Sequence, residues 1–362
     1  MKSLHVLSAV IALAPLASAQ GLVFLGTWPK QIQVIDEGRR KVVDHIELAT
    51  GVPRDLRISE DRKTIYVATV DHNGIEVIDV AARKNTNSFV LDQGGARVRF
   101  NSWIPDARRG LIYLLVQVAD KKIDRFEIGP PQFAVVDLAQ KKIVRTADLP
   151  EEARAAFEGR DNMRISPDGK QIYLFLNNIL IFDTADFKLI DRIELSKLDV
   201  PGMASLNIGP AVDSLREPGK LVNLFASTDP AVHRQVFGIA RLDLVTRSFE
   251  FAPIGPANVN LLGLLVAPDR KTGYTVAFTG INGTRRSEFW VFDLTTNRVI
   301  RRREFQAHTH YHFAISSTGK SLFIYGSGYE VEIYDAATLQ PRGTVDVNAD
   351  ITTDMIVVPQ AH

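Results

Sequence analysis

The chain contains no cysteine in 362 residues. This absence excludes disulfide bonds, thiolate metal ligands and a covalently attached c-type haem. Excess charge is also nearly absent, because 43 Lys and Arg residues balance 42 Asp and Glu residues and leave a formal net charge of +1. The composition therefore indicates neither a nucleic-acid-binding surface nor a polyanionic one. Stability must come from the burial of apolar side chains, and a chain of this length can supply a large core.

The first nineteen residues have the pattern of a secretory signal. Lys2 supplies the charged start, Leu4 to Leu16 is apolar, and Ala17-Ser18-Ala19 fits the small-residue cleavage rule. The apolar stretch is shorter than the ~20 residues of a membrane-spanning helix. We therefore expect cleavage after Ala19 and a periplasmic or secreted protein, with an uncleaved anchor as the alternative. We expect no membrane span in the rest of the chain.

A short motif that ends in aspartate recurs seven times along the chain. Each copy is an apolar run that ends in Asp, and a polar turn usually follows; the aspartates are Asp36, Asp79, Asp137, Asp183, Asp243, Asp293 and Asp335. They lie 42 to 60 residues apart. Strand-only repeats of this length predict the blades of a β-propeller. We interpret the aspartates as turn formers whose carboxylates bond nearby backbone N–H groups, rather than as an acidic catalytic cluster.

A second repeated element precedes the first in most units, and its clearest copy is Ile165-Ser166-Pro167-Asp168-Gly169-Lys170. Pro-Asp-Gly between two apolar runs predicts a tight turn, so each unit has four strands, called a, b, c and d here. The N-terminus supplies only three strands, and Asp354 to Val358 is an isolated strand at the C-terminus. We predict one all-β domain over residues 20–362, a seven-bladed propeller closed by pairing the last strand with the N-terminal blade. Such closure removes free sheet edges.

Four insertions interrupt the regular repeat. They occur at Val118–Pro131, Ile208–Lys220, Ser227–Gln235 and Thr279–Ser287. Three of them join strands b and c, and the b–c loops lie on the same face of a propeller as the d–a connections. We call this the b–c face, and we expect function there because loops on a rigid scaffold commonly carry binding sites. The charged stretch from Lys121 to Glu127 is either a solvated loop or a partner-docking loop.

The sharpest local feature is His308-Thr309-His310-Tyr311-His312, predicted at the start of the innermost strand of the last blade. Residues at period two share one side of a strand, so the three histidines would point together near the channel. They form either a metal or proton-handling site or a polar channel mouth. Same-face positions are about 6.5–7 Å apart, whereas metal–nitrogen bonds measure ~2.0–2.1 Å. One ion therefore cannot easily bind all three, and we assign no metal site.

The repeats resemble those of bacterial YVTN-type seven-bladed propellers. In order and spacing, the chain more specifically resembles the β subunit of quinohaemoprotein amine dehydrogenase. The stretches that carry this second resemblance are Arg97 to Val116 with the charged insertion and Pro130-Pro131 after it, Asn178 to Asp183, and the tail with His308-Thr309-His310-Tyr311, Gly319-Lys320-Ser321-Leu322, Gly326, Tyr334, Ala336-Ala337-Thr338-Leu339 and Asp350-Ile351-Thr352-Thr353.

This resemblance implies a periplasmic, cofactor-free subunit. Its partners would be a small subunit that carries cysteine tryptophylquinone and a dihaem cytochrome c subunit, and the complex would oxidise primary amines to aldehydes and ammonia. The propeller would scaffold the small subunit and wall the substrate pocket. We assign no catalytic, cofactor-binding or metal residues. The candidates for the partner face and pocket are His308, Thr309, His310, Tyr311, Asp124, Arg125, Phe126, Pro130 and Pro131.

Two other functions stay open. One is a stand-alone exported propeller that binds a ligand or a component of the cell envelope. The other is a propeller enzyme such as a lactonase, with a divalent metal at the channel mouth. Lactonase propellers typically place Glu, Asn and Asp around the metal, and the sequence offers no convincing set of this kind.

Overall fold

The computed structural model describes residues 21–71, 73–92, 94–159, 162–195, 205–210, 212–229, 234–257, 260–280, 282–306, 308, 311–326 and 328–360. The expected signal sequence lies outside these residues. Within them, no helix is long and apolar enough to cross a bilayer.

The described residues form seven antiparallel sheets, one for each blade of a β-propeller. The first four blades and their connections contain β1 (Leu22–Thr27), β2 (Gln31–Asp36), β3 (Lys41–Glu47), β4 (Pro53–Ile58), β5 (Thr64–Thr69), β6 (Gly74–Asp79), β7 (Lys84–Val90), β8 (Ala96–Asp106), β9 (Leu111–Lys121), β10 (Phe126–Ile128), β11 (Gln132–Asp137), β12 (Lys142–Asp148), a 3₁₀ turn (Glu151–Ala153), α1 (Ala155–Glu158), β13 (Met163–Ile165), β14 (Gln171–Phe175), β15 (Asn178–Asp183) and β16 (Leu189–Glu194).

The remaining elements complete the ring. They are β17 (Ser205–Ile208), β18 (Lys220–Asp229), β19 (Arg234–Asp243), β20 (Ser248–Pro256), β21 (Asn260–Leu261), β22 (Leu265–Val266), β23 (Thr272–Thr279), a 3₁₀ turn (Asn282–Thr284), β24 (Arg286–Asp293), β25 (Arg298–Phe305), β26 (His312–Ile315), β27 (Ser321–Tyr325), β28 (Glu330–Asp335), β29 (Pro341–Asp346) and β30 (Ile356–Val358). Blade 1 has the strand order β3-β2-β1-β30, and blades 2 to 7 begin at β4, β8, β13, β17, β21 and β26.

The ring closes as the sequence predicts. Strand β30 pairs antiparallel with β1, with Leu22 opposite Val358 and Phe24 opposite Ile356. The C-terminal strand is thus the innermost strand of the N-terminal blade, and the seven-bladed prediction is confirmed. Because both chain ends share one sheet, neither leaves a free edge in the ring.

The core lies between adjacent blades. One apolar cluster joins Phe24 and Val34 of blade 1 to Val67 and Ile78 of blade 2, and similar clusters fill the other blade interfaces. Strands b and c are buried on both faces, which explains why β1 is an unbroken apolar run rather than an alternating one.

The seven motif aspartates are turn formers, as predicted. Each accepts a backbone N–H from the following turn; the donors include Gly38, Ala82, Ala139, Ala185, Val245, Thr295 and Thr338. The N–H groups of Thr246 and Val245 lower the pKa of the Asp243 carboxyl. These carboxylates therefore stabilise the c–d turns.

Candidate functional site

His308 lies in the connection between β25 and β26, on the b–c face of blade 7. The prediction that it belongs to the innermost strand is wrong, because β26 begins at His312. A Cβ added at Gly326 would overlap the His308 ring, so glycine at this position leaves the space that the imidazole fills. Thr309 and His310 lie outside the described residues.

The buried His308 side chain contacts a carboxylate on β28. His308 Nε2 is 3.1 Å from Glu332 Oε1, and the Tyr334 hydroxyl donates a hydrogen bond of 2.6 Å to Glu332 Oε2. The His308 imidazole and the Tyr334 hydroxyl lower the pKa of Glu332, against the opposing effect of burial. The Glu332 carboxylate therefore contacts both His308 and Tyr334.

Tyr311 is held in place by hydrogen bonds and by an aromatic cluster. Its hydroxyl accepts the His308 backbone N–H at 2.9 Å and also contacts the Ser287 hydroxyl. Its ring lies 6.0 Å from Phe305, edge to face, and the Arg285 guanidinium lies 5.6 Å from its centroid. Tyr311 therefore fixes the backbone that carries His308, which is a positioning role.

The third histidine of the motif faces a different partner. His312 Nδ1 lies 2.6 Å from Asp354 Oδ1, and the imidazole stacks on Tyr325. His308 and His312 thus contact separate carboxylates and do not converge, contrary to the prediction that they point together. The described residues contain no group of three or more His, Asp or Glu side chains placed to hold a metal ion.

A cavity of about 360 Å³ opens beside His308 on the b–c face. Its walls include the carboxyl-bearing residues Glu330, Glu332 and Asp346, with Tyr329 at the edge. Sequence reasoning missed this cavity. The available signal was the alternation at the start of β28, where Glu330, Glu332 and Tyr334 recur at period two between buried apolar residues.

The charged insertion of blade 3 forms a β-hairpin arm rather than a loop. Strand β10 pairs with the end of β9, so that Phe126 lies opposite Lys121. Arg125 bridges Asp124 and Glu127 with N–O distances of 3.1 and 2.7 Å. These pairs are exposed and contribute little stability. Pro130 is exposed and Pro131 is partly buried where the chain enters β11. The arm is far more exposed to solvent than the buried His308 side chain.

Among the described residues, the exposed large apolar side chains of the b–c face occur in blades 7, 1, 2 and 3. We define the apolar arc as the exposed residues in the b–c loops and arm of blades 7, 1, 2 and 3, which are Tyr329, Trp28, Val70, Ile123, Phe126 and Ile128. These four blades are consecutive around the ring. In the turns described at the opposite end, Val245 is the one large hydrophobic side chain with comparable exposure.

Solved structures with a similar fold include AztD from Citrobacter koseri, at a TM-score of 0.54 and 15% identity, covering 95% of this chain and 100% of that one. A functionally unknown protein from Desulfotomaculum acetoxidans matches at a TM-score of 0.54 and 12% identity. The match covers 93% of this chain and 98% of that one. Dihydro-heme d1 dehydrogenase NirN in complex with DHE matches at a TM-score of 0.50 and 14% identity. The match covers 91% of this chain and 74% of that one.

At these identities the similarity defines the fold alone, and the chain is a seven-bladed β-propeller. No protein-family model matches the sequence. No curated protein matches it either.

Proposed function

We propose that this chain is the cofactor-free propeller subunit of a periplasmic quinohaemoprotein amine dehydrogenase, and that the b–c face binds its partner subunits. The observation that carries the proposal is the apolar arc. Solvent-exposed apolar patches commonly mark interaction surfaces, and Trp and Tyr are enriched where protein partners meet. The arc spans four consecutive blades and would offer one edge for docking.

The composition of the chain supports this division, in which the partners carry the redox groups. A cysteine-derived quinone and a thioether-linked haem both need cysteine, and this chain has none. When bound, the partners' quinone and haem groups would accept the two electrons released by amine oxidation. This chain would position the quinone-bearing subunit and wall the substrate pocket.

The cavity beside His308 supports an amine substrate. A primary amine is a cation at neutral pH, and the carboxylates of Glu330, Glu332 and Asp346 would favour a cation over an anion. His308, in contact with Glu332, lies at the edge of this cavity. Thr309 and His310, which the resemblance also places at the pocket, adjoin His308 in sequence.

Affinity purification of the full chain from its native host tests the assembly directly. We expect the eluate to show haem absorption bands, and mass spectrometry should find a dihaem cytochrome and a small quinone-bearing protein. Amine-dependent reduction of the haem would then establish the activity. A colourless eluate that contains only this chain would overturn the proposal.

A pair of matched variants tests the docking surface. Phe126 on the arm is 57% exposed and Ile300 on an outer strand is 59% exposed, so both substitutions leave the core unchanged. We expect Phe126→Asp to reduce co-purification of the partners at least about tenfold, because it places a charge in the interface. Ile300→Asp should leave the yield unchanged. Equal yields from both variants would exclude the arm from the interface.

One observation favours a stand-alone ligand-binding propeller instead. A cavity of about 670 Å³ lies between blades 4 and 5, and its walls include Asn162, Asn178, Asn207 and Asn223. Amide side chains both donate and accept hydrogen bonds, so this cavity suits a neutral polar ligand. A partner-free monomer that binds such a ligand would favour this second function.

A further inference from the structure

Strand β25, the outermost strand of blade 6, is more basic than the outermost strand of any other blade. It carries Arg298, Arg301, Arg302 and Arg303, and Glu304 is its one acidic residue. The corresponding strands of the other blades, which are β3, β7, β12, β16, β20 and β29, each have at most two Lys or Arg residues. The whole chain is nearly neutral, so β25 is a local excess of positive charge on the rim of the ring.

No ion pair with a described residue neutralises these four arginines. Three carboxylates belong to the same β24–β25 hairpin, those of Asp293, Glu288 and Glu304. The Asp293 carboxylate accepts two N–H groups of its own c–d turn, and Glu288 accepts the Trp290 indole N–H at 2.8 Å. With Arg286, the hairpin contains five arginines against these three carboxylates, so a net positive charge remains.

The guanidinium groups occupy both faces of β25. Arg302 lies 3.8 Å from the centroid of the Trp290 ring, and Trp290 packs against Phe237 of blade 5. On the other face, Arg303 donates a hydrogen bond of 2.9 Å to the Gln340 side chain of blade 7. A guanidinium stacked on a ring keeps its N–H donors at its edge, where they can bind a carboxylate. Acidic side chains on either face of an added strand would therefore meet an arginine.

A groove of about 780 Å³ lies between β25 and the outermost strand of blade 5. Arg298 and Arg302 border it, and its apolar lining includes Ile254 and Val299. No acidic residue of the described chain lines this groove. Side chains on the blade 5 face of a strand added to β25 would enter it. The groove therefore suits apolar and acidic side chains rather than basic ones.

The backbone of β25 offers the contacts that an extended segment needs. It pairs with β24 along one edge, where Trp290 lies opposite Arg302, and no described strand pairs with its other edge. A free edge carries unpaired N–H and C=O groups and can accept a further strand. Two copies of β25 would place like charges opposite one another, which is destabilising, whereas an acidic strand would form favourable cross-strand pairs. The charge of β25 therefore selects an acidic strand over a second copy of itself.

We propose that the outer edge of blade 6 binds an extended acidic segment of a partner protein, which adds to β25 as a further strand. The carboxylates of this segment would contact Arg301, Arg302 and Arg303, and its apolar side chains would enter the groove. Blade 6 contributes no residue to the apolar arc, and β25 lies on the rim of the ring rather than on the b–c face. The site is therefore separate from the docking surface proposed for the amine dehydrogenase partners.

Fluorescence anisotropy on the full chain, with labelled peptides of the same length as β25, tests strand addition. A peptide of alternating Glu and Val should bind, and the Lys–Val analogue should not, because β25 repels it. The Glu–Pro analogue keeps the charge but lacks every second N–H group, so it should bind at least about tenfold more weakly. No binding by the Glu–Val peptide, or equal binding by either analogue, would overturn the proposal. Binding to phosphatidylglycerol vesicles without binding to the Glu–Val peptide would also overturn it and indicate a membrane surface instead.

A charge-reversing variant and a matched control locate the site. Arg301→Glu should weaken binding of the Glu–Val peptide at least about tenfold, because it replaces an attractive cross-strand charge with a repulsive one. Lys142→Glu makes the same change of charge on β12, the outermost strand of blade 3, and should leave the affinity unchanged. Both side chains are exposed, so both variants should fold. Equal affinities in the two variants would show that β25 is not the site and would overturn the proposal.

Discussion

The imidazole of His308 and the carboxylate of Glu332 lie 3.1 Å apart, although one belongs to a connection between blades and the other to a strand of blade 7. The same carboxylate also accepts the Tyr334 hydroxyl. His308 also borders the acidic cavity on the b–c face. A substitution that removes this contact should therefore affect both the stability of blade 7 and the position of His308 at the cavity.

Because of this contact, we expect the difference in stability between the parent protein and Glu332→Gln to depend on pH. The pKa of Glu332 is lowered from its usual value of 4.5, chiefly by His308, so the fold favours the ionised form. Its stabilisation is therefore complete above pH ~4.5 and disappears as the pH falls through the lower, folded-state pKa. Hydrogen bonds to a charged group contribute about 1.5–3 kcal/mol, and the variant should lose a free energy of unfolding of that order near neutral pH.

Urea unfolding over a pH series measures this difference. The difference in the free energy of unfolding between the parent protein and Glu332→Gln should become smaller at acid pH. The exposed neighbour Glu330 provides the control, because Glu330→Gln changes the same charge on the same strand. A gap that stays constant with pH, or that matches the control, would show that the His308 contact does not stabilise the fold.

We expect substitution of Glu76 to cause a larger loss of stability than substitution of Glu332. Its carboxylate is fully buried in blade 2 and accepts the Thr50 N–H at 2.6 Å, the Thr50 hydroxyl at 2.7 Å and the Ser88 hydroxyl at 2.5 Å. Glu76→Ala would leave these donors unpaired, at a cost of about 3 kcal/mol or more in the free energy of unfolding. Chemical denaturation measures the loss. Glu250→Ala, which removes an exposed partner of Arg241, should cost less than about 1 kcal/mol.

Removal of the C-terminal strand should open the ring. Deletion of residues 356–362 eliminates β30, which contributes the buried side chains of Ile356, Val357 and Val358. At about 1.5 kcal/mol or more for each side chain, we expect a loss of at least about 4 kcal/mol. The exposed edge of β1 should also promote aggregation. Thermal unfolding with light scattering measures both effects.

Deletion of residues 360–362 is the control for this truncation, because it shortens the chain but keeps β30. It should leave the unfolding temperature unchanged. A truncation at 356 that unfolds at the same temperature as this control would show that pairing of β30 does not stabilise the ring.

The blade architecture could be predicted because its signals are local. An aspartate at the end of strand c caps its own turn, and Ser166 to Gly169 form the tight turn that the sequence indicates. Each signal depends on residues only a few positions apart. The same reasoning failed for His308, because a period-two pattern predicts a shared face only if the residues belong to one strand.

Two contacts could not be predicted for a related reason. The spacing of Glu332 and Tyr334 is visible in the sequence, but their approach to His308 depends on how the blade connection packs. The insertion at Ile208–Lys220 is likewise visible in the sequence, yet nothing in its residues specifies that Asp213 would meet Arg270.

The sequence by itself determined the number of blades, the order of strands and the closure of the ring, because turn chemistry and apolar runs act over short distances along the chain. Only the tertiary structure decided which residues meet: His308 with Glu332 on one face, Asp213 with Arg270 on the other, and the apolar arc on four consecutive blades. These contacts join residues that are distant in sequence, and the geometry of the closed ring sets the distances between them.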